Sequence, residues 1–273
     1  MKLEEHVLAV PGQKTGEKRL LVYRIDTNKN APDRKRPIVI VCGGGGYEYI
    51  SDREQEAIVL KFLAMGYHAC LLEYSVAPDV FPTALLELAS AVALIREHAE
   101  EWGVEADKII TCGFSAGGHL AASLGVFWNH EMVYGTLNKR PEDVKPNGQI
   151  LCYPVITSGE KAHRGSVEKL LGAECGDEKK LELISLEKQV TADVPRTFLW
   201  HTLTDQAVPV ENSLSFAEAM HKNGVNFEMH IYPLGGHGLA LATEETGGSD
   251  EDLVQPYCAG WVDMVKEWMR RNF

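Results

Sequence analysis

Hydrophobic residues along the chain fall into short continuous runs that alternate with longer segments of helical spacing. Two runs near the start, residues 3–10 and 18–25, flank a Pro- and Gly-containing turn at 11–16 and predict an antiparallel hairpin. Six further runs are typical of parallel strands covered on both faces, and they lie near 37–42, 67–74, 108–112, 149–153, 196–201 and 227–232.

Between these runs, apolar residues recur at spacings of three and four, which predicts amphipathic helices. The segments are 51–65, 83–102, 117–126, 210–223 and 257–271. Strands that alternate with helices indicate an α/β fold, with a mostly parallel eight-stranded sheet and helices on both faces. At 273 residues the chain has an ordinary length for one such domain, and no repeat or linker divides it.

The charge and hydrophobicity of the chain limit the partners and the cellular compartment that we expect. The formal net charge is -12 and no basic patch is visible, which argues against nucleic acid or an anionic membrane as a partner. The first residues lack the basic start and apolar stretch of a signal peptide, and no run approaches the roughly 20 apolar residues of a membrane helix. We therefore expect a soluble cytoplasmic protein.

The cysteines give no sign of a metal site. All six are spread along the chain, and four lie in or at the ends of apolar runs, so we expect small core residues. No C-x-x-C pair or Cys/His cluster predicts zinc. We expect no metal and no cofactor, and the sequence leaves open whether the protein is a homodimer.

The pentapeptide Gly113 to Gly117 marks a candidate nucleophile. It follows the strand predicted at 108–112 and opens an Ala/Gly/Leu segment, as in the strand, sharp turn and helix of a G-x-S-x-G elbow. Small residues on both sides allow Ser115 to project its hydroxyl into a cleft from the apex of the turn. A Gly/Ser turn without a catalytic role is the alternative, so the rest of the chain has to decide.

A serine becomes a nucleophile near neutral pH when a histidine takes its proton and a carboxylate orients that histidine. Asp205 lies on the loop after one predicted strand, and His237 lies among glycines on the loop after the next. The chain order Ser115, Asp205, His237 is the order of the α/β-hydrolase triad. These residues are therefore the predicted nucleophile, orienting acid and base.

The other histidine and acidic residues are less well placed for catalysis. His201 and His230 fall within predicted strands, and His119 lies on the helix after the nucleophile. Asp193 precedes its strand and would lie at the wrong end of it. We therefore expect these side chains to be structural.

A run of four glycines, 43–46, follows the strand at 37–42 and can direct several backbone N–H groups into one concavity. The amides of Gly44 and Gly45, together with that of Ala116, would form an oxyanion hole. A phosphate-binding loop is the rival interpretation. No Gly-Lys-Ser/Thr follows the glycines, however, and their spacing is not that of G-x-G-x-x-G.

Taken together, these features resemble α/β-hydrolase-fold serine esterases of the branch shared by hormone-sensitive-lipase-like carboxylesterases and small carbohydrate and feruloyl-type esterases. The matching residues span nearly the whole chain and are, in order, 43–46, 73–78 with Phe81-Pro82, 113–120, 153–156, Asp205 with Val208-Pro209, and 236–238. Many relatives carry a histidine directly before the glycines, where this chain has Cys42. That departure favours the sugar-ester side of the branch.

The resemblance implies a single α/β-hydrolase domain and a carboxylesterase of the acetyl esterase type. Its small-molecule substrate would be a short-chain acyl ester, such as an acetylated sugar or oligosaccharide, cleaved through an acyl-serine intermediate. An arylformamidase or other amidase of the same fold is one alternative. A non-catalytic small-molecule-binding protein is the other.

Two segments, 127–148 and 156–194, lie outside the main predicted elements. In this fold such insertions lie above the carboxyl edge of the sheet, so we expect them to form a small lid and to decide the substrate. Neither is long or apolar enough for a lipase cap. This favours a shallow, polar pocket for a short acyl group.

Overall fold

An eight-stranded sheet runs through the centre of the protein in a computed structural model that describes residues 1–273. The strands are β1 (Lys2–Leu8), β2 (Lys18–Arg24), β3 (Arg36–Cys42), β4 (His68–Glu73), β5 (Val104–Phe114), β6 (Gly148–Cys152), β7 (Arg196–Thr202) and β8 (Phe227–Tyr232). Their order across the sheet is β1-β2-β4-β3-β5-β6-β7-β8. The opening hairpin is antiparallel and all pairs among β3 to β8 are parallel, as predicted. The β2–β4 pair, which joins the hairpin to the rest of the sheet, is also antiparallel.

Helices connect the strands on both faces of the sheet. They are α1 (Glu56–Ala64), α2 (Thr83–Glu97), α3 (Ala99–Trp102), α4 (Ala116–Phe127), α5 (Glu131–Tyr134), α6 (Pro141–Val144), α7 (Arg164–Leu171), α8 (Glu178–Leu183), α9 (Glu211–Lys222), α10 (Glu244–Gly247), α11 (Pro256–Ala259) and α12 (Trp261–Asn272). Short 3-10 turns occur at Asp52–Glu54, Gly172–Glu174, Leu186–Lys188 and Glu251–Leu253. None of the helices has both the length and the hydrophobicity that crossing a membrane requires.

Alternate residues of the central strands face opposite helix layers. In β3, Ile38 and Ile40 belong to a buried cluster that includes side chains of α2, α4 and α9. Val39 and Val41 belong to a second cluster, formed with α1 and α12. A strand covered on both faces is hydrophobic at every position, which explains the unbroken apolar runs. The α/β fold expected from those runs is confirmed.

The parallel arrangement decides where the candidate site lies. Because β3, β5, β7 and β8 run in one direction, the loops that follow them leave the same edge of the sheet. Those loops carry the glycines 43–46, Ser115, Asp205 and His237. Ligands of open α/β sheets bind outside this carboxyl edge.

One predicted lid segment lies elsewhere. Helix α4 begins at the carboxyl edge and runs back across the sheet, so the segment 127–148 follows at the amino edge, where β6 starts. Arg96, at the end of α2, holds it there by donating to the carbonyl oxygens of Asp143 (2.6 Å) and Lys145 (2.7 Å). The expectation that 127–148 contributes to a lid is therefore wrong, because the direction of α4 carries it away from Ser115.

Candidate active site

Ser115 occupies a strained turn between β5 and α4. Its backbone adopts φ 53° and ψ -117°, a conformation that residues other than glycine rarely take. A Cβ at Gly113 would lie 2.1 Å from the carbonyl oxygen of Gly117, and one at Gly117 would lie 2.2 Å from that of Cys42. Gly113 therefore allows the turn to close against the start of α4, and Gly117 allows α4 to pack against the end of β3.

The structure brings Ser115, His237 and Asp205 into one hydrogen-bonded chain. Ser115 Oγ lies 2.7 Å from Nε2 of His237, and Nδ1 of His237 lies 2.6 Å from Oδ2 of Asp205. Because an ionised carboxylate only accepts, Nδ1 carries the ring proton and Nε2 is free to accept the proton of the serine. This is the arrangement that activates a serine hydroxyl.

The carboxylate of Asp205 is fully buried and held by four donors. Besides His237, Nε2 of His201 lies 3.2 Å from Oδ2, and the amides of Ala207 and Val208 donate to Oδ1, each at 2.9 Å. Burial acts to raise the pKa of Asp205, but the bonds from His201 and His237 outweigh it and hold the pKa well below its usual value. Asp205 therefore stays ionised beside His237.

The place of His201 within a strand predicts a structural residue, so its contact with Asp205 was not expected from the sequence. Its Nε2–H faces only acceptors, Asp205 Oδ2 and the carbonyl oxygen of Val208, while Nδ1 lies 2.7 Å from the hydroxyl of Ser213. The available signal was its position at the end of β7, four residues before Asp205.

The predicted oxyanion donors are not equivalent. The backbone amides of Gly45 and Ala116 donate to no acceptor within the protein, so both remain available to a substrate oxygen. The amide of Gly44 instead donates to Oε2 of the buried Glu54 at 2.7 Å. In this structure Gly44 therefore differs from the expectation, since its N–H group is already occupied.

Ser115 and His237 open onto a polar cleft of about 240 Å³. Charged and polar side chains line it, and Tyr49 is its one hydrophobic residue; the remaining lining residues include Glu48, Arg53, Glu54, His163 and Lys169. A larger cleft of about 470 Å³ lies at the amino edge of the sheet, but no serine, histidine or cysteine lines it. The smaller cleft is therefore the one suited to covalent chemistry.

The second predicted lid segment contributes to this cleft. His163, Gly165 and Lys169 come from the segment 156–194, at and within α7, and form one wall. Burial, and the nearby His237, lower the pKa of His163, so its imidazole is neutral near pH 7. A neutral imidazole suits hydrogen bonding to uncharged hydroxyl groups.

His119 lies near the glycine loop but outside the Ser115 chain. Its Nε2 lies 3.0 Å from the carbonyl oxygen of Ile184, and its Nδ1 lies 2.9 Å from the hydroxyl of Tyr47. Burial lowers the pKa of His119 to about 4, although the bond to Ile184 opposes the change. A neutral, buried histidine of this kind is structural, as expected from its position.

Most of the chain matches a known protein family. The family model described as BD-FAE matches residues 25–220 of this chain. Among curated proteins, endo-1,4-beta-xylanase B of Butyrivibrio fibrisolvens is 37% identical over 221 residues, which cover 78% of this chain and 34% of the xylanase. Acetylxylan esterase of Xylanibacter ruminicola is 28% identical over 210 residues, covering 75% of this chain and 41% of the esterase. The chain thus matches only about a third to two fifths of the length of these relatives.

A solved structure matches over most of both chains. The acetyl ester-xyloside bifunctional hydrolase from Caldicellulosiruptor lactoaceticus superposes with a TM-score of 0.82 and is 35% identical. The match covers 94% of this chain and 89% of that one.

Proposed function

Because the chain belongs to the BD-FAE family, we propose that it is a serine esterase that removes short acyl groups, acetate in particular, from sugars or oligosaccharides. The observation that carries this proposal is the hydrogen-bonded chain Ser115–His237–Asp205 at the floor of a small polar cleft. The similarity to proteins named acetylxylan esterase and acetyl ester-xyloside hydrolase supports the choice of substrate.

Acylation begins when Ser115 Oγ attacks the ester carbonyl carbon while Nε2 of His237 takes the hydroxyl proton. The carbonyl π electrons move to the oxygen, and the amides of Gly45 and Ala116 stabilise the resulting oxyanion. Asp205 stabilises the imidazolium by accepting from its Nδ1–H. As the oxyanion collapses, the C–O bond to the sugar breaks and His237 returns its proton to the departing sugar oxygen.

Deacylation repeats these steps with water in place of the sugar. His237 takes a proton from water as the water oxygen attacks the acyl-serine carbonyl, and the same two amides hold the second oxyanion. Collapse breaks the bond to Ser115 Oγ, which receives the proton from His237. The free acid leaves and the site returns to its starting state.

The composition of the cleft supports a small acyl group and a sugar. Its lining offers hydrogen-bonding groups from His163, Arg53 and Lys169, which suit the hydroxyl groups of a carbohydrate. Tyr49 is 61% exposed at the same cleft, and its ring offers an apolar face to the C–H side of a sugar ring. A fatty chain would need an apolar lining that this cleft lacks.

The test is hydrolysis of p-nitrophenyl esters from acetate to decanoate, followed by acetylated xylooligosaccharides, by the native chain and by Ser115→Ala. Ser123→Ala is the matched control, since Ser123 is a buried serine of α4 that does not line the cleft. We expect the highest turnover with acetyl esters, complete loss in Ser115→Ala, and no loss in Ser123→Ala. Faster turnover of decanoate, or turnover of amides but not esters, would contradict the proposal.

A further inference from the structure

Glu54 is a buried carboxylate beside the nucleophile that the reaction steps above do not use. It is 2% exposed, and its two oxygens have different partners. Oε2 accepts from the amide of Gly44 at 2.7 Å, and Oε1 accepts from the hydroxyl of Tyr153 at 2.7 Å. A buried carboxylate is costly unless such donors satisfy it, so this arrangement calls for an explanation.

Through Tyr153, Glu54 links the loops that carry the reacting groups. The hydroxyl of Tyr153 also accepts from the amide of Ala240, which lies three residues after His237, at 2.8 Å. The ring of Tyr153 packs edge-on against the imidazole of His237, with centroids 5.2 Å apart. One hydrogen-bonded chain therefore joins the glycine loop after β3 to the histidine loop after β8.

Gly44 is in close contact with the nucleophile as well as with Glu54. A Cβ built on Gly44 would lie 2.7 Å from Glu54 Oε2 and 2.8 Å from Cβ of Ser115. Anchoring the N–H of Gly44 fixes the peptide that precedes its Cα. The next amide along the chain is that of Gly45, whose direction therefore depends on this anchor.

We propose that Glu54 is a positioning residue, which acts through the amide of Gly44 to aim the amide of Gly45 at the oxyanion formed on Ser115. This inference rests on the proposed esterase function. It also explains why a carboxylate stands here. Gly44 and Tyr153 both donate, and only a carboxylate offers an acceptor to each side.

Glutamine is the informative replacement because it keeps the size of Glu54 but has one acceptor. In Glu54→Gln, the amide oxygen can serve only one of the two sides. If the NH2 group faces Gly44, the anchoring hydrogen bond is lost; if it faces Tyr153, the hydroxyl has to turn and accept from it, and its own proton loses its acceptor. Glu87 provides a matched control. It is also a buried carboxylate that accepts one backbone amide, that of Ser75 at 2.6 Å, and one hydroxyl, that of the same serine at 2.5 Å. Glu87 does not line the cleft.

The experiment measures kcat and KM for p-nitrophenyl acetate, the inhibition constant of phenylboronic acid, and the thermal midpoint for native protein, Glu54→Gln and Glu87→Gln. Phenylboronic acid reports on the oxyanion hole because it forms a tetrahedral adduct with an active serine. We expect Glu54→Gln to lower kcat roughly 10- to 100-fold with KM within about twofold, since the hole acts on the transition state. In Glu54→Gln, the inhibition constant of phenylboronic acid should rise by the factor by which kcat/KM falls. Glu87→Gln should change neither kcat/KM nor this inhibition constant.

Several results would overturn the proposal. These are a native kcat in Glu54→Gln, a rise in KM with kcat intact, or an equal loss of kcat in both variants that follows their thermal midpoints. If Glu54→Gln does not fold, Glu54→Asp keeps the charge but withdraws the carboxylate from the amide of Gly44 by one methylene. An unchanged kcat in that variant would also refute the inference.

Failure of the esterase proposal would look different. The native protein itself would then hydrolyse no ester. Its affinity for phenylboronic acid, compared with that of Glu54→Gln, would still test the role of Glu54. Equal affinities would overturn that role.

Discussion

Nε2 of His201 lies 3.2 Å from Oδ2 of Asp205, the same oxygen that accepts the 2.6 Å hydrogen bond from His237. His201 is completely buried, and the hydroxyl of Ser213 on α9 fixes its other nitrogen at 2.7 Å. Asp205 is therefore anchored to the body of the protein through His201 before it orients His237.

Removing this anchor should weaken catalysis more than substrate binding. We expect His201→Phe to lower kcat roughly tenfold, because a less constrained Asp205 orients His237 poorly. KM should change little, since His201 does not line the cleft. Steady-state kinetics with p-nitrophenyl acetate measure both kcat and KM. His68→Phe is the control, a buried histidine at the start of β4 that accepts from the amide of Ile25. An equal loss of kcat in both variants would assign His201 a general packing role.

The ionisation of Asp205 predicts a pH-dependent contribution to stability. Despite its burial, hydrogen bonds from His201 and His237 hold the folded-state pKa of Asp205 below the ordinary value of 3.8. A carboxyl whose pKa is lower in the folded state stabilises the fold above its unfolded pKa, and this stabilisation is lost as the pH falls toward the folded pKa. The variant Asp205→Asn lacks this stabilisation at every pH.

Urea unfolding of the native chain and Asp205→Asn tests this linkage. The difference in the free energy of unfolding should be largest above about pH 5 and should shrink below about pH 4, where the unfolded state takes up the proton. A difference that stays constant between about pH 6 and about pH 3 would show that the pKa of Asp205 is not lowered by folding.

The lack of space around Gly44 predicts a large loss of activity when one carbon atom is added there. In Gly44→Ala, the new Cβ would lie 2.7 Å from Glu54 Oε2, 2.8 Å from Ser115 Cβ and 2.9 Å from the carbonyl oxygen of Phe114. We expect kcat/KM to fall roughly 100-fold, because the glycine loop must move away from the nucleophile. Gly176→Ala meets no atom within 4 Å and should behave as native in the same assay. Native turnover by Gly44→Ala would mean that the loop is not held as the structure shows.

Arg53 is expected to bind the sugar portion of the substrate. Its guanidinium packs against Gly238 at the cleft and forms no ion pair with a protein carboxylate, so its donors are available. We expect Arg53→Ala to raise KM for acetylated xylooligosaccharides about tenfold, the effect of losing a hydrogen bond from a charged group. Arg34→Ala is the control, since Arg34 lies at the amino-edge cleft. An equal KM in both variants would exclude Arg53 from substrate binding.

Local sequence patterns predicted the eight strands and the five longest helices of this fold, but not most of the short helices between them. The apolar run at 108–112 became the core of β5 (Val104–Phe114), and the helical spacing at 210–223 became α9 (Glu211–Lys222). The glycines around Ser115 predicted the elbow because any Cβ there meets backbone. The order of Ser115, Asp205 and His237 predicted the three loops that meet at one edge, since parallel strands bring consecutive loops together.

Tertiary structure alone decided the contacts that support those residues. Glu54 and Tyr153 are 99 positions apart, and no period or motif in the sequence connects them. His201 had the pattern of a buried strand residue, and only the turn after β7 brings Asp205 back to it. The segment 127–148 had the composition of a lid, but the direction of α4 placed it at the opposite edge. Hydrophobic periodicity is a local property of the chain, whereas these partners depend on which loops the packed sheet places within hydrogen-bonding distance.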